Sequence, residues 1–100
     1  MVKHIVLMKL KSQAGSSVRS ERADMVKQMI EGLKEKIAEV RSLEVGINFN
    51  AEADAYDVAL ISEFATRKDL ETYLNHPDHV AVAAIIRTMR DSRVVVDYET

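Results

Sequence analysis

Apolar side chains recur at two different spacings along this chain. From residue 2 to residue 10, "VKHIVLMKL" is rich in β-branched and aliphatic residues and reads as a strand. Its two faces are Val2/His4/Val6/Met8 and Lys3/Ile5/Leu7/Lys9. Both carry apolar residues, so both are expected to be covered. Further on, "SERADMVKQMIEGLKEKIAEV" sets Val26, Met29/Ile30, Leu33, Ile37 and Val40 at helical spacing, with Lys, Glu and Arg between them. That predicts an amphipathic helix of about five turns. Gly32 lies inside it and weakens it by about 1 kcal/mol relative to alanine.

"LEVGINFN" (43–50) reads as a second strand and "YDVALISEFA" (56–65) as a third. The polar turn "AEADA" joins them, so the two are expected to pair antiparallel. Thr66 opens a short helix, "TRKDLETYL", with a hydroxyl N-cap followed by the carboxylate of Asp69. Pro77 ends that helix and suits the first position of the next, "PDHVAVAAIIRTMR". "RVVVDYE" (93–99) is a fourth strand with valines on both faces. The order β-α-β-β-α-β predicts an α+β fold on the ferredoxin-like split βαβ plan, with helices on one face of an antiparallel sheet. The other face would show Ile5, Leu7 and their counterparts on the fourth strand to water. Such a patch on a small domain marks an interface, and two sheets packed face to face predict a homodimer.

Composition narrows the field. A chain of 100 residues is expected to form a single domain, 1–100, small enough that self-association is a common remedy for its wet surface. With 47% hydrophobic residues, 30% charged and a net charge of −2, it has no electrostatic bias toward nucleic acid or an anionic membrane. The lack of cysteine excludes a disulfide framework, a thiol nucleophile and a thiolate metal site. Gly15, Gly32 and Gly46 are scattered singly, which speaks against a phosphate-cradling loop. Lys3, Lys9 and Lys11 interrupt the first apolar run, which is too short to span a bilayer and lacks a small-residue cleavage site. A cytoplasmic location is the default expectation. "KSQAGSSVRS", from Lys11 to about Ser20, reads as a polar loop. Met8, Met25, Met29 and Met89 read as adaptable core filler. "EGLKEKIAEVR" reads as a solvated helix face, with Glu31/Glu35 and Lys34/Lys36 forming local pairs.

The candidate chemistry lies in the histidines. His76 and His79 flank the only proline, and His4 alternates with Val6 and Met8 on the first strand. His79 stands in the first turn of the helix that Pro77 begins. There the positive end of the helix dipole disfavours imidazolium and keeps the ring available as a base near pH 7. Tyr73, one turn after Leu70, can direct its hydroxyl toward the same space. A neutral imidazole that removes a proton beside a carbonyl, with donors for the enolate oxygen, is the minimum for aldol chemistry. A structural role is the alternative: a first-turn histidine can satisfy backbone groups, and a strand histidine can be a hydrogen-bonded core residue. His76 reads as the residue capping the helix. A metal held by His76, Asp78, His79 and His4 has no H-E-x-x-H pattern behind it, and neither metal nor organic cofactor is expected.

The segments "VKHIVLMKLK", "VGINF", "YDVALISEF", "HPDHVAV" and "VVVDYE", in this order and spacing, resemble the stress-responsive dimeric α/β-barrel (Dabb) domain over nearly the whole chain. The resemblance implies a ferredoxin-like subunit and a barrel built from two sheets. A plant polyketide cyclase of this family closes a ring by an intramolecular aldol step without metal or organic cofactor. By resemblance, its essential histidines fall on His4 and His79, and the tyrosine ahead of its His-Pro falls on Tyr73. A further tyrosine on its long helix falls on Ile30, a departure that removes a phenol. Some relatives bind magnesium through backbone carbonyls where the long helix ends, which here means near Lys34, Ile37 and Val40. Quinol-type monooxygenases share the architecture, so cofactor-free oxygenation is a further reading.

The expected site is an apolar pocket between sheet and helices. Its wall would be Val6, Met8, Val26, Ile30, Leu60, Leu70, Leu74, Val82 and Ile85. His79 would be the base, with Tyr73 and His4 as oxyanion donors or orienting groups. The expected function is a homodimer with a cofactor-independent acid/base activity, cyclase or lyase of aldol type, on a small carbonyl (polyketide-like) compound. The rival expectation is a non-catalytic, stress-related binding dimer whose histidines are structural.

Overall fold

Alternation along the first strand decides the layering. The computed structural model describes residues 1–11 and 16–100. In β1 (Val2–Leu10) every second side chain is buried, so Val2, His4, Val6, Met8 and Leu10 form one row. Then come α1 (Ser16–Glu31), α2 (Leu33–Lys36), β2 (Ser42–Ile47) and β3 (Val58–Phe64), followed by α3 (Arg67–Asn75), α4 (Pro77–Met89) and β4 (Arg90–Glu99). Among the described residues the strands form one antiparallel sheet in the order β2-β3-β1-β4. Two strands of high apolar content, β1 and β3, therefore occupy the centre. This is the ferredoxin-like α+β arrangement that the element order predicts.

Helices cover one sheet face and enclose the core. Val6, Met8, Val26, Ile30, Val45 and Leu60 pack in one cluster. Val2, Leu33, Ile37, Phe64, Leu70 and Tyr73 form a second. The opposite face carries Ile5 between Ile61 and Val96, and Leu7 between Ala59 and Val94, by strand register. Ile61, Val94, Val96 and Tyr98 are large apolar side chains exposed there.

Several boundaries differ from the sequence expectation. The helix begins at Ser16, inside the stretch read as a polar loop; the rest of that stretch, 12–15, lies outside the described residues. It does not run unbroken to Val40. It is interrupted at Gly32, the residue of weakest helix propensity in the run, and α2 ends in an extended Ile37. Ile37 and Val40 are buried all the same, because a turn with the Val40 amide on the Ile37 carbonyl (3.2 Å) folds them back under the sheet. β2 stops at Ile47. Beyond it, Asn48 and Asn50 exchange side-chain and backbone hydrogen bonds of 2.7 and 2.8 Å, and Phe49 is fully exposed. β4 starts at Arg90, three residues early, because pairing of Arg90 with Leu10 and of Ser92 with Lys9, across a bulge, recruits a polar stretch. Met25 is half exposed rather than core.

The charged helix face is also less idle than its composition suggests. β2 is an edge strand, with Val45 offering an amide and a carbonyl outward. Lys27 donates to that carbonyl (2.6 Å), Glu31 accepts from that amide (3.2 Å), and the two side chains pair with each other at 2.8 Å. The lysine and the backbone amide hold the Glu31 carboxyl below its ordinary range. The clamp blunts an edge that would otherwise be open to strand addition. Among the described residues, no helix is long and apolar enough to cross a membrane.

Phe64 has no solvent exposure and joins the second cluster to the Tyr73 ring at 5.1 Å between centroids. Phe64→Ala is expected to cost about 3–5 kcal/mol, the range for a large aromatic removed from a packed core. Urea unfolding of the two proteins measures it; a loss below about 1 kcal/mol would mean that the site does not depend on this packing.

Candidate functional site

The site is assembled where the α3–α4 junction meets β1. Thr66 caps α3 by accepting the Asp69 amide at 3.0 Å. The residue before a proline favours extended backbone, and His76 sits at φ −64°, ψ 136°, ending α3 and capping α4 at once. Its Nδ1 accepts the Asp78 amide at 3.1 Å, so His76 is the capping residue that the sequence suggests. Pro77 follows at the first helical position, which places His79 in the first turn.

His79 Nδ1 donates to the Leu74 carbonyl at 3.0 Å, one of the carbonyls that the end of α3 leaves without a helical partner. That bond assigns the neutral tautomer with hydrogen on Nδ1 and leaves Nε2 as the basic nitrogen. Burial holds the imidazole below its ordinary pKa. The bond to the Leu74 carbonyl opposes this, while any positive charge on His4, on Arg93 or on His76 reinforces it. Tyr73 is 1% exposed, and its ring lies 4.5 Å from that of His79 at 52°. Burial pushes its phenol up to about 12, so it stays a donor at any ordinary pH.

His4 approaches from the sheet. It is 2% exposed, and its Nδ1 is bonded to the carboxylate of Asp97, its direct cross-strand partner on β4. Strand register alone brings these two together. The carboxylate takes the Nδ1 hydrogen, so the other ring nitrogen is the one left for a further partner. His4, Tyr73 and His79 line one cavity of about 230 Å³. Val6, Met8, Ile30, Leu33, Leu60, Val82, Ala83 and Ile86 form its apolar wall, and Arg87, Arg90 and Arg93 complete the lining.

Residues 2–100 match the family model of the stress-responsive A/B barrel domain, Dabb. The chain belongs to this family. It is similar to a dimeric protein of unknown function and ferredoxin-like fold from Bacteroides fragilis, at 39% identity and a TM-score of 0.89 over 99% of this chain and 95% of that one. It is 31% identical to an uncharacterized protein of Streptomyces coelicolor over 99% of each chain. It shares its fold with a hydroxynitrile lyase from Passiflora edulis, at 22% identity and a TM-score of 0.81 over 97% of this chain and 90% of that one.

Within this Dabb domain, the wall expected from sequence is only partly the wall of the cavity. Val6, Met8, Ile30, Leu60 and Val82 line it. Val26 is buried in the first core cluster, one turn away from Ile30, and Leu70 belongs to the second cluster with Leu74 packed against it. Ile85 is 49% exposed on the outer side of α4, because its neighbour Ile86 takes the inward phase. The sequence reading missed Arg87, Arg90, Arg93 and Asp97. The arginines recur at every third residue in "RTMRDSR", across a helix–strand junction where neither helical nor strand periodicity applies throughout. Asp97 becomes visible only once the β1–β4 register is known.

His76 caps a helix and His79 binds a carbonyl, and among the described residues no group of three or more His, Asp or Glu side chains is placed to hold an ion. Near the end of α2, the Ile37 carbonyl accepts the Val40 amide.

The depressed pKa of His79 has a signed consequence. Between the ordinary value near 6.5 and the lower folded value, the unfolded chain binds a proton that the folded chain resists. The associated stability is present above about pH 6.5 and is lost as pH falls through the folded value. A two-dimensional NMR titration is expected to give His79 a pKa below 6.5 with the Nδ1–H tautomer. A midpoint above 6.5 would overturn this picture of the site.

Proposed function

We propose that the protein is a homodimer with a cofactor-independent acid/base activity on a small carbonyl compound. The observation that carries this reading is the single cavity lined by His4, Tyr73 and His79, in which His79 is neutral and has its Nδ1 tied back. In the proposed step, His79 Nε2 takes a proton from the carbon beside the substrate carbonyl. The electron pair moves onto the carbonyl oxygen, where the Tyr73 hydroxyl donates a hydrogen bond, and His4, held by Asp97, is the orienting group. The enolate carbon then attacks a second carbonyl in the same molecule, and the proton on His79 passes to the alkoxide that forms. Run in reverse, the same groups cleave the bond, so cyclase and lyase chemistry need no different residues.

The apolar row Ile5, Leu7, Ile61, Val94 and Val96, of which the last three are exposed, supports pairing of two subunits through their helix-free faces, as does the dimeric state of the Bacteroides fragilis protein. Leu7→Asp is expected to shift the protein from dimer to monomer, or to prevent folding, in analytical ultracentrifugation with circular dichroism. A wild-type protein that sediments as a monomer at micromolar concentration would remove the basis for a two-sheet barrel.

A non-catalytic binding dimer is the second reading. It is favoured by the fact that, among the described residues, no side-chain nitrogen or oxygen fully shielded from solvent lacks a hydrogen-bond partner. Proton NMR in D₂O separates the two. The catalytic reading expects exchange of the methyl protons of acetophenone to be accelerated by the wild-type protein. His79→Ala should abolish that acceleration with the fold retained, and Tyr73→Phe should cut it by about 10²-fold. The binding reading expects no acceleration by any of the three and a lowered melting temperature for His79→Ala.

A further inference from the structure

We infer that Arg87, Arg90 and Arg93 recognise a carboxylate, so that the cavity takes a carbonyl compound carrying an acid group. This rests on the reading of the cavity as a small-molecule site and adds the charge of the molecule that enters it. Arg87 lies in the last turn of α4, Arg90 caps that helix, and Arg93 stands on β4 in the helix-facing phase of Val95 and Asp97. The chain reverses between them, and all three line the same cavity.

A structural explanation covers two of the three at most. A cation at the C-terminal end of a helix meets the negative end of its dipole, which accounts for Arg87 in the last turn and Arg90 at the cap. Arg93, on β4, has no such role. Acidic residues outnumber basic ones by 16 to 14, yet no ion pair among the described residues includes any of the three. Asp97, the carboxylate in phase with Arg93, is taken by His4. Partial burial first, and then the charges of Arg93 and Arg87, make Arg90 hold its proton less tightly than usual. Like charges gathered without a counter-ion repel, and an anion bound among them relieves that repulsion.

The chemistry of the lining selects the kind of anion. A guanidinium is a planar fork that binds a carboxylate through two parallel hydrogen bonds. The remaining wall is apolar, with Val6, Met8, Ile30 and Leu60 facing the body of the ligand. An apolar cavity of about 150 Å³ holds benzene, so one of about 230 Å³ holds a ring with short substituents. The acid group would sit at the arginines, leaving the carbonyl to reach the histidines and Tyr73.

Isothermal titration with matched probes tests this on the full chain. The probes are 4-acetylbenzoate, its neutral analogue 4-acetylbenzamide, and 4-acetylphenyl phosphate. The carboxylate is expected to bind at least about tenfold more tightly than the amide, the scale of one charge-assisted hydrogen bond. Added sodium chloride should weaken the acid and leave the amide unchanged. Arg90→Gln and Arg93→Gln should each weaken the acid more than the amide and so narrow the difference between them, and Arg93→Lys should restore only part of that difference. Circular dichroism checks that each variant is folded. Equal affinity for acid and amide would overturn the arginine assignment while leaving the cavity as a ligand site. Tighter binding of the phosphate than of the carboxylate would overturn the choice of anion. Failure of all three probes to bind would overturn the cavity reading and this inference with it.

Discussion

β1 is hydrogen-bonded along both edges and carries apolar side chains on both faces, and the rest of the molecule is arranged around the phase of that strand. Period-two alternation puts Val2, His4, Val6, Met8 and Leu10 in one buried row. A slip of one residue would send Lys3 and Lys9 into the core and His4 out to the helix-free face. The register with β3 and β4 that fixes the core therefore also fixes the position of one candidate catalytic ring and of the carboxylate that orients it. Fold and site share one constraint.

The second anchor is local. Pro77 cannot continue α3 and is well suited to start α4, so two short helices meet at a corner with a single residue, His76, between them. Tyr73 from the end of one helix and His79 from the start of the next then pack with tilted rings, 4.5 Å between centroids. The corner also leaves the Leu74 carbonyl without a helical partner, and His79 supplies the donor. One backbone requirement thus decides the tautomer of the imidazole. Its neutral state follows mainly from burial.

The two histidines are consequently unlike in character although they line the same space. One has its Nδ1 bound to a carboxylate on the neighbouring strand. The other is desolvated and bound to a backbone carbonyl, and burial favours its neutral, accepting form. Environments that pull similar groups apart in this way are how acid and base roles are divided within one pocket. The arginine side of the cavity adds a field that draws anions toward the neutral ring, coupling the charge of a ligand to the protonation of the group that would act on it.

The residues by themselves determined the element order, the ferredoxin-like plan, the inward row of β1, the double role of the His76–Pro77 corner and the candidate trio of histidines and tyrosine. Each of these follows from a short-range rule: alternation, helical spacing, or the fixed φ and missing amide of proline. What the tertiary structure decided lies where short-range rules conflict or fall silent. The break at Gly32 and the turn that buries Ile37 and Val40 answer to packing under the sheet rather than to helix propensity. Val26, Leu70 and Leu74 have the periodicity of wall residues but are spent on core clusters, and Ile85 yields the inward position to Ile86. Asp97 meets His4, and three arginines spaced across a helix–strand junction meet one another, only through the pairing of β4 with β1. The His4–Asp97 contact spans most of the chain, and no local pattern encodes the strand pairing that creates it.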